Sequence, residues 1–133
     1  DLNGKFHVLI NNAQPCSGQF RAYNSPDYLD PLIAAVAARC NVMTTQKGKT
    51  GVPCTRDFGM NCTDIGVLSR TCDAIIGIVN GPMWPAMNRD NSTGIEHWLF
   101  LRDNGEDMML FPNEKYAVNV EQAIQRAKEM GLA

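Results

Sequence analysis

No stretch of about 18 consecutive apolar residues occurs, which is the length needed to cross a bilayer, so no membrane partner is expected. Basic residues are not in excess. Twelve Lys and Arg stand against fourteen Asp and Glu, for a net charge of −2. A protein that grips a nucleic acid polymer by its phosphates carries the opposite balance. The five cysteines (Cys16, Cys40, Cys54, Cys62 and Cys72) are odd in number and form no CxxC pair. That argues for reduced thiols, against a disulfide framework and against a zinc site. The two histidines, His7 and His97, make no metal set. Repeats, low-complexity tracts and composition breaks are missing too, so residues 1–133 read as one domain. Asp1 to Phe6 lacks the charged-then-apolar plan of a signal peptide, and the expected location is cytoplasmic.

What is present has an ordinary globular balance, with 44% hydrophobic and 20% charged residues. The pattern alternates strand and helix. His7 to Ile10 is a short apolar run ending at Asn11-Asn12, the pattern of a buried first strand. Pro26 to Cys40 places Leu29, Leu32, Ile33, Val36 and Ala37 on one helical face, with Ser25 as N-cap. Asn41 to Thr45 reads as a strand, Asp64 to Thr71 as a helix capped by Asp64, and Ala74 to Val79 as a strand apolar on both faces. A helix is expected from about Ser92 to Arg102. A fourth strand is expected at Asp107 to Phe111, a short fifth near Tyr116 to Val118, and a closing amphipathic helix from Val120 to Met130. Strands alternating with helices imply a three-layer α/β domain, Rossmann-like or flavodoxin-like, around a parallel sheet of four or five strands.

In such sheets ligands gather outside the carboxyl ends of the strands. Asn11, Asn12, Gln46, Asp64, Asp90 and Glu96 are all expected on that rim. Asp73 begins its strand and reads as structural, satisfying backbone groups at the opposite end. Glu96 draws attention because an expected helix starting near Ser92 would hold it in the first turn, where free N–H groups and the helix dipole favour negative charge. A carboxylate there can attack an electrophilic sugar carbon. Gly94 would let a ligand approach the helix backbone. The Lys47-Gly48-Lys49 loop lacks the spacing of a phosphate cradle, and Asn11 to Gly18 does not resemble a flavin phosphate loop. No cofactor is expected.

Asp73-Ala-Ile-Ile-Gly-Ile-Val-Asn80-Gly81-Pro82, followed by Asp90-Asn-Ser92-Thr-Gly94-Ile-Glu96, resembles the nucleoside 2-deoxyribosyltransferase family. The likeness is strong from about Cys62 to Phe100. It implies that Glu96 is the nucleophile that attacks C1′ and that Asp90 binds sugar hydroxyls. It further implies that Asp64 contacts the base and supplies its proton, and that Gln46 touches the base. Asn11, Asn12, Ser92 and Gly94 complete the expected substrate contacts. The implied reaction is a retaining double displacement at the N-glycosidic bond of a nucleoside, passing the 2-deoxyribosyl group to a second nucleobase. The implied partners are a nucleoside, a free nucleobase and further copies of the chain, with Asn113 or Asn119 as a shared residue, although Asn119 reads more simply as the cap of the closing helix.

Two alternatives accompany this reading. One is a hydrolase that gives the sugar to water. The other is a nucleoside or nucleotide sensor without turnover, supported by Leu9 at the family's first-strand tyrosine position and by Asn11-Asn12 in place of small residues. Met83, Trp84 and Met87 read either as an apolar lid stacking on a base or as a packed surface loop.

Overall fold

The computed structural model describes residues 5–14, 20–78, 81–88, 91, 94–103, 111 and 114–133. Five strands form one all-parallel sheet: β1 (His7–Asn11), β2 (Asn41–Thr44), β3 (Ala74–Ile78), β4 (His97–Leu101) and β5 (Glu114–Ala117). Their order across the sheet is β2-β1-β3-β4-β5. The helices are α1 (Asp30–Ala37), α2 (Cys62–Ser69) and α3 (Val120–Glu129), with 3₁₀ turns at Thr55–Phe58 and Gly81–Ala86. The expected α/β architecture holds.

The strands are apolar on both faces because both faces are covered, as parallel sheets require. Successive side chains point to opposite sides. Val8, Ile10, Ile76, Ile78, Leu99 and Leu101 join Leu32, Ile33 and Val36 of α1 and Ala123 and Ala127 of α3. Leu9, Ile75, Trp98 and Phe100 face the other way, onto Ile65 of α2 and onto Met83 and Ala86. Trp98 stacks on Phe111 with ring centroids 4.0 Å apart.

Three expectations are corrected. The helix expected from about Ser92 to Arg102 ends at Gly94, and His97–Leu101 is β4 rather than its continuation. Its alternating side chains fill both cores at once, burying Trp98, Leu99, Phe100 and Leu101, which one helix face cannot do. The first helix starts at Asp30, with Pro31 in its first turn, rather than at Pro26; the residues before it are turns. The second helix starts at Cys62, where Asn61 is the N-cap and Asp64 closes a capping box at N3. The expected strand from Asp107 lies outside the described residues apart from Phe111, whereas the short fifth strand and the closing helix are found.

Candidate functional site

Strand order reverses at β1: the chain leaves β1 for β2 on one side and returns to β3 on the other. The carboxyl ends of β1 and β3 therefore mark the switch point, the place where open α/β sheets offer a crevice. Asn11 and Asn12 end β1 there, and both are buried. Asn11 Nδ2 donates to Ile78 O at 2.6 Å, and its Oδ1 accepts from Thr45 Oγ1 at 2.6 Å and from the Ala13 N–H at 3.3 Å. The Asn11 amide thus laces the ends of β1, β2 and β3 together. Asn12 holds one residue from two sides: its Nδ2 donates to Gln46 O at 3.0 Å, and its Oδ1 accepts the Gln46 N–H at 2.9 Å. Both asparagine side chains were expected to contact substrate. They are framework instead, because buried amides must spend their hydrogen-bonding groups internally.

What this framework presents is Gln46. Its backbone is pinned by Asn12, and Thr44 Oγ1 also donates to its carbonyl at 3.0 Å. The Gln46 side chain is half-buried, and its amide takes no hydrogen bond from another described residue. Such an amide can donate and accept together, the pairing that reads a base edge.

Around Gln46 lie residues that sequence reasoning missed. The Tyr23 hydroxyl donates to Asn12 O at 3.2 Å. Burial, and after it the charges of Asp27 and Asp30, push the Tyr23 pKa up, so the phenol stays protonated. Lys49 pairs with Asp27 at 3.1 Å and Lys47 with Asp57 at 3.3 Å, which employs the two lysines in holding their loop. These groups come from separate loops, and no sequence spacing connects them. The one available signal was position, since each follows β1 or β2.

Asp64 shares this end of the sheet, because α2 runs from it toward the amino ends, where Thr71 and Cys72 meet His7 and Asn41. Its carboxylate is exposed and accepts the Asn61 N–H at 3.0 Å. Glu96 is not on this rim. It precedes β4, one residue before the register pair Ala74–His97, and is exposed at the amino ends of the strands. Asn91 and Gly94 are helical and the Ile95 N–H donates to Asn91 O at 3.0 Å, but Glu96 lies past that turn, where the chain is already entering β4. Gly94 is exposed with open space about it. Asp90, Ser92 and Asn113 lie outside the described residues. Asn119 caps α3, accepting the Gln122 N–H at 2.8 Å.

Asp73 behaves as expected of a structural residue, accepting the His7 N–H at 2.8 Å through Oδ2 and donating its own N–H to His7 O at 2.7 Å. Met83 is buried in the second core, so it is not part of a lid. Arg21 is engaged with Asp103 through Nε at 3.0 Å. A mainly apolar cavity of about 180 Å³ lies toward the amino ends, among Val8, Val42, Met43, Leu68 and Cys72. Burial there pushes the Cys72 thiol up to about 11. Among the described residues no group of three or more His, Cys, Asp or Glu is arranged to hold a metal ion, and no helix is long and apolar enough to cross a membrane.

Fold and rim together define the class: an open α/β domain, wound in both directions from β1, with a polar rim at the carboxyl ends of β1 and β2. No protein-family model, no curated protein and no solved structure matches the chain.

Proposed function

We propose that the chain is a nucleoside-binding α/β domain that recognises the base through Gln46 and does not use Glu96 as a nucleophile. The observation that carries this reading is the Asn12–Gln46 lock. Two part-buried hydrogen bonds fix the backbone of a residue whose own amide is left for a ligand, beside the switch point where such folds bind. The order of residues from Asp73 to Glu96, similar to that of the nucleoside 2-deoxyribosyltransferases, supports a nucleoside as the ligand class. The separation of Glu96 from that rim favours binding without turnover.

The same likeness in order favours a second reading, cleavage of the N-glycosidic bond with transfer of the 2-deoxyribosyl group to another nucleobase or to water. Because Glu96 stands at the far end of the sheet, this chemistry would need a carboxylate on the rim, and Asp64 is the described candidate from the resemblance.

One experiment separates them. The protein is mixed with 2′-deoxyadenosine and, in parallel, with a 2-fluoro-arabinosyl adenine nucleoside. Binding is followed by calorimetry, release of adenine by chromatography, and adducts by mass spectrometry. We expect saturable binding that Gln46→Ala weakens about tenfold, from a lost hydrogen-bonded contact, with no adenine released. A sugar adduct on Glu96 would overturn this reading. An adduct or turnover dependent on Asp64 would establish the second.

A further inference from the structure

We propose, building on the nucleoside reading above, that Asp30 is the acceptor for a hydroxyl of the bound sugar, and that the Lys47–Lys49 loop is the movable cover over it. Asp30 opens α1 at the carboxyl-end rim, and its Oδ1 is buried with no hydrogen-bond partner among the described residues. That is unusual for a carboxylate, which can accept several hydrogen bonds and loses stability when buried without them.

The atom is covered by Gly48, two residues beyond Gln46. A Cβ on Gly48 would stand 3.0 Å from Asp30 Oδ1, so the glycine lets the loop close down on the carboxylate. The cover is lightly held. Its ion pairs, Lys49 with Asp27 and Lys47 with Asp57, involve lysines whose side chains are 83% and 76% exposed, and such pairs hold weakly. Lifting the loop uncovers an acceptor beside Tyr23 and next to the residue proposed to read the base. A ribose or deoxyribose presents hydroxyl donors to suit it. A group kept unsatisfied at a cost to the fold, within reach of a ligand-binding residue, is the mark of a site rather than of a framework.

The competing explanation is structural: an acid in a first helical turn favours the helix dipole. The two differ in sign. If Asp30 serves the helix, removing its charge lowers the melting temperature. If it waits for a ligand, removal leaves the melting temperature unchanged or raises it, and abolishes discrimination between sugars.

The test measures binding of adenosine and of 2′,3′-dideoxyadenosine to wild type, Asp30→Ala and Asp30→Asn, alongside thermal unfolding of each. Wild type should bind adenosine about tenfold more tightly, the scale of a hydrogen bond to a charged acceptor. Asp30→Ala should bind both nucleosides equally and unfold no earlier than wild type. Asp30→Asn keeps the side chain's shape and, should the alanine variant not fold, serves in its place, with discrimination cut to about a third by its weaker acceptor. Equal binding of both nucleosides by wild type, or discrimination that survives in Asp30→Ala, would overturn the assignment while leaving the nucleoside reading intact. Loss of melting temperature with unchanged discrimination would establish the helix role instead. Failure of wild type to bind either nucleoside would overturn both.

Discussion

Asn11 and Gly77 face each other in register across β1 and β3, and the absent side chain of the glycine makes room for the asparagine. Gly77 has φ +150°, and a Cβ there would stand 2.5 Å from Asn11 O and 2.8 Å from Asn11 Cβ. The close approach is what allows the Asn11 amide to reach past Gly77 to Ile78 O and fasten the switch point.

Gly77→Ala should therefore be one of the most damaging single-methyl changes in the chain. It combines a backbone conformation that favours glycine with a backbone collision in a fully buried strand. We expect a loss of at least about 3 kcal/mol, from strain plus overpacking, read as a lowered urea midpoint with unchanged slope.

Asn11 and Asn12 should separate stability from binding. Asn11→Ala strands Thr45 Oγ1 and Ile78 O in the interior and should cost about 2–4 kcal/mol. Asn12→Ala frees the Gln46 backbone, so it should weaken nucleoside binding as much as Gln46→Ala does. Urea unfolding and calorimetry on the two variants check this directly. Full binding by Asn12→Ala would remove the lock from the account.

Glu96→Gln should be nearly silent. The side chain is exposed at the amino ends of the strands, and exposed substitutions away from special features stay within about 0.5 kcal/mol. Binding of 2′-deoxyadenosine should be unchanged in the same titration. A large loss of affinity or of any turnover would return Glu96 to the centre of the mechanism.

Cys72 gives a pH dependence with a definite sign. Burial raises its folded pKa to about 11 from an ordinary value of 9.0. The unfolded chain thus loses the thiol proton first as pH rises. The contribution is fully present below pH 9 and is lost progressively toward pH 11, amounting to up to about 3 kcal/mol. Cys72→Ala should flatten the fall in urea midpoint between pH 9 and pH 11 relative to wild type. The wild-type thiol should also alkylate slowly with iodoacetamide at pH 8, and the exposed Cys62 much faster.

Much of the architecture was legible in the chain itself. Strands buried on both faces announce themselves as unbroken apolar runs, so His7–Asn11 and Ala74–Ile78 needed no tertiary information, and Asn119 marked the start of α3 by its capping chemistry. The segment His97–Leu101 was different. Its apolar residues suit a helix stripe or a strand covered on both sides, and only the vacant edge beside β3, with a core on each face, decided for a strand. That one decision carried Glu96 to the opposite end of the sheet from Gln46. Local pattern fixed which side chains are apolar and where turns fall, because those depend on near neighbours. Which polar groups meet depends on strand order and on hydrogen bonds spanning dozens of residues, as between Asn12 and Gln46, and no spacing along the chain encodes that.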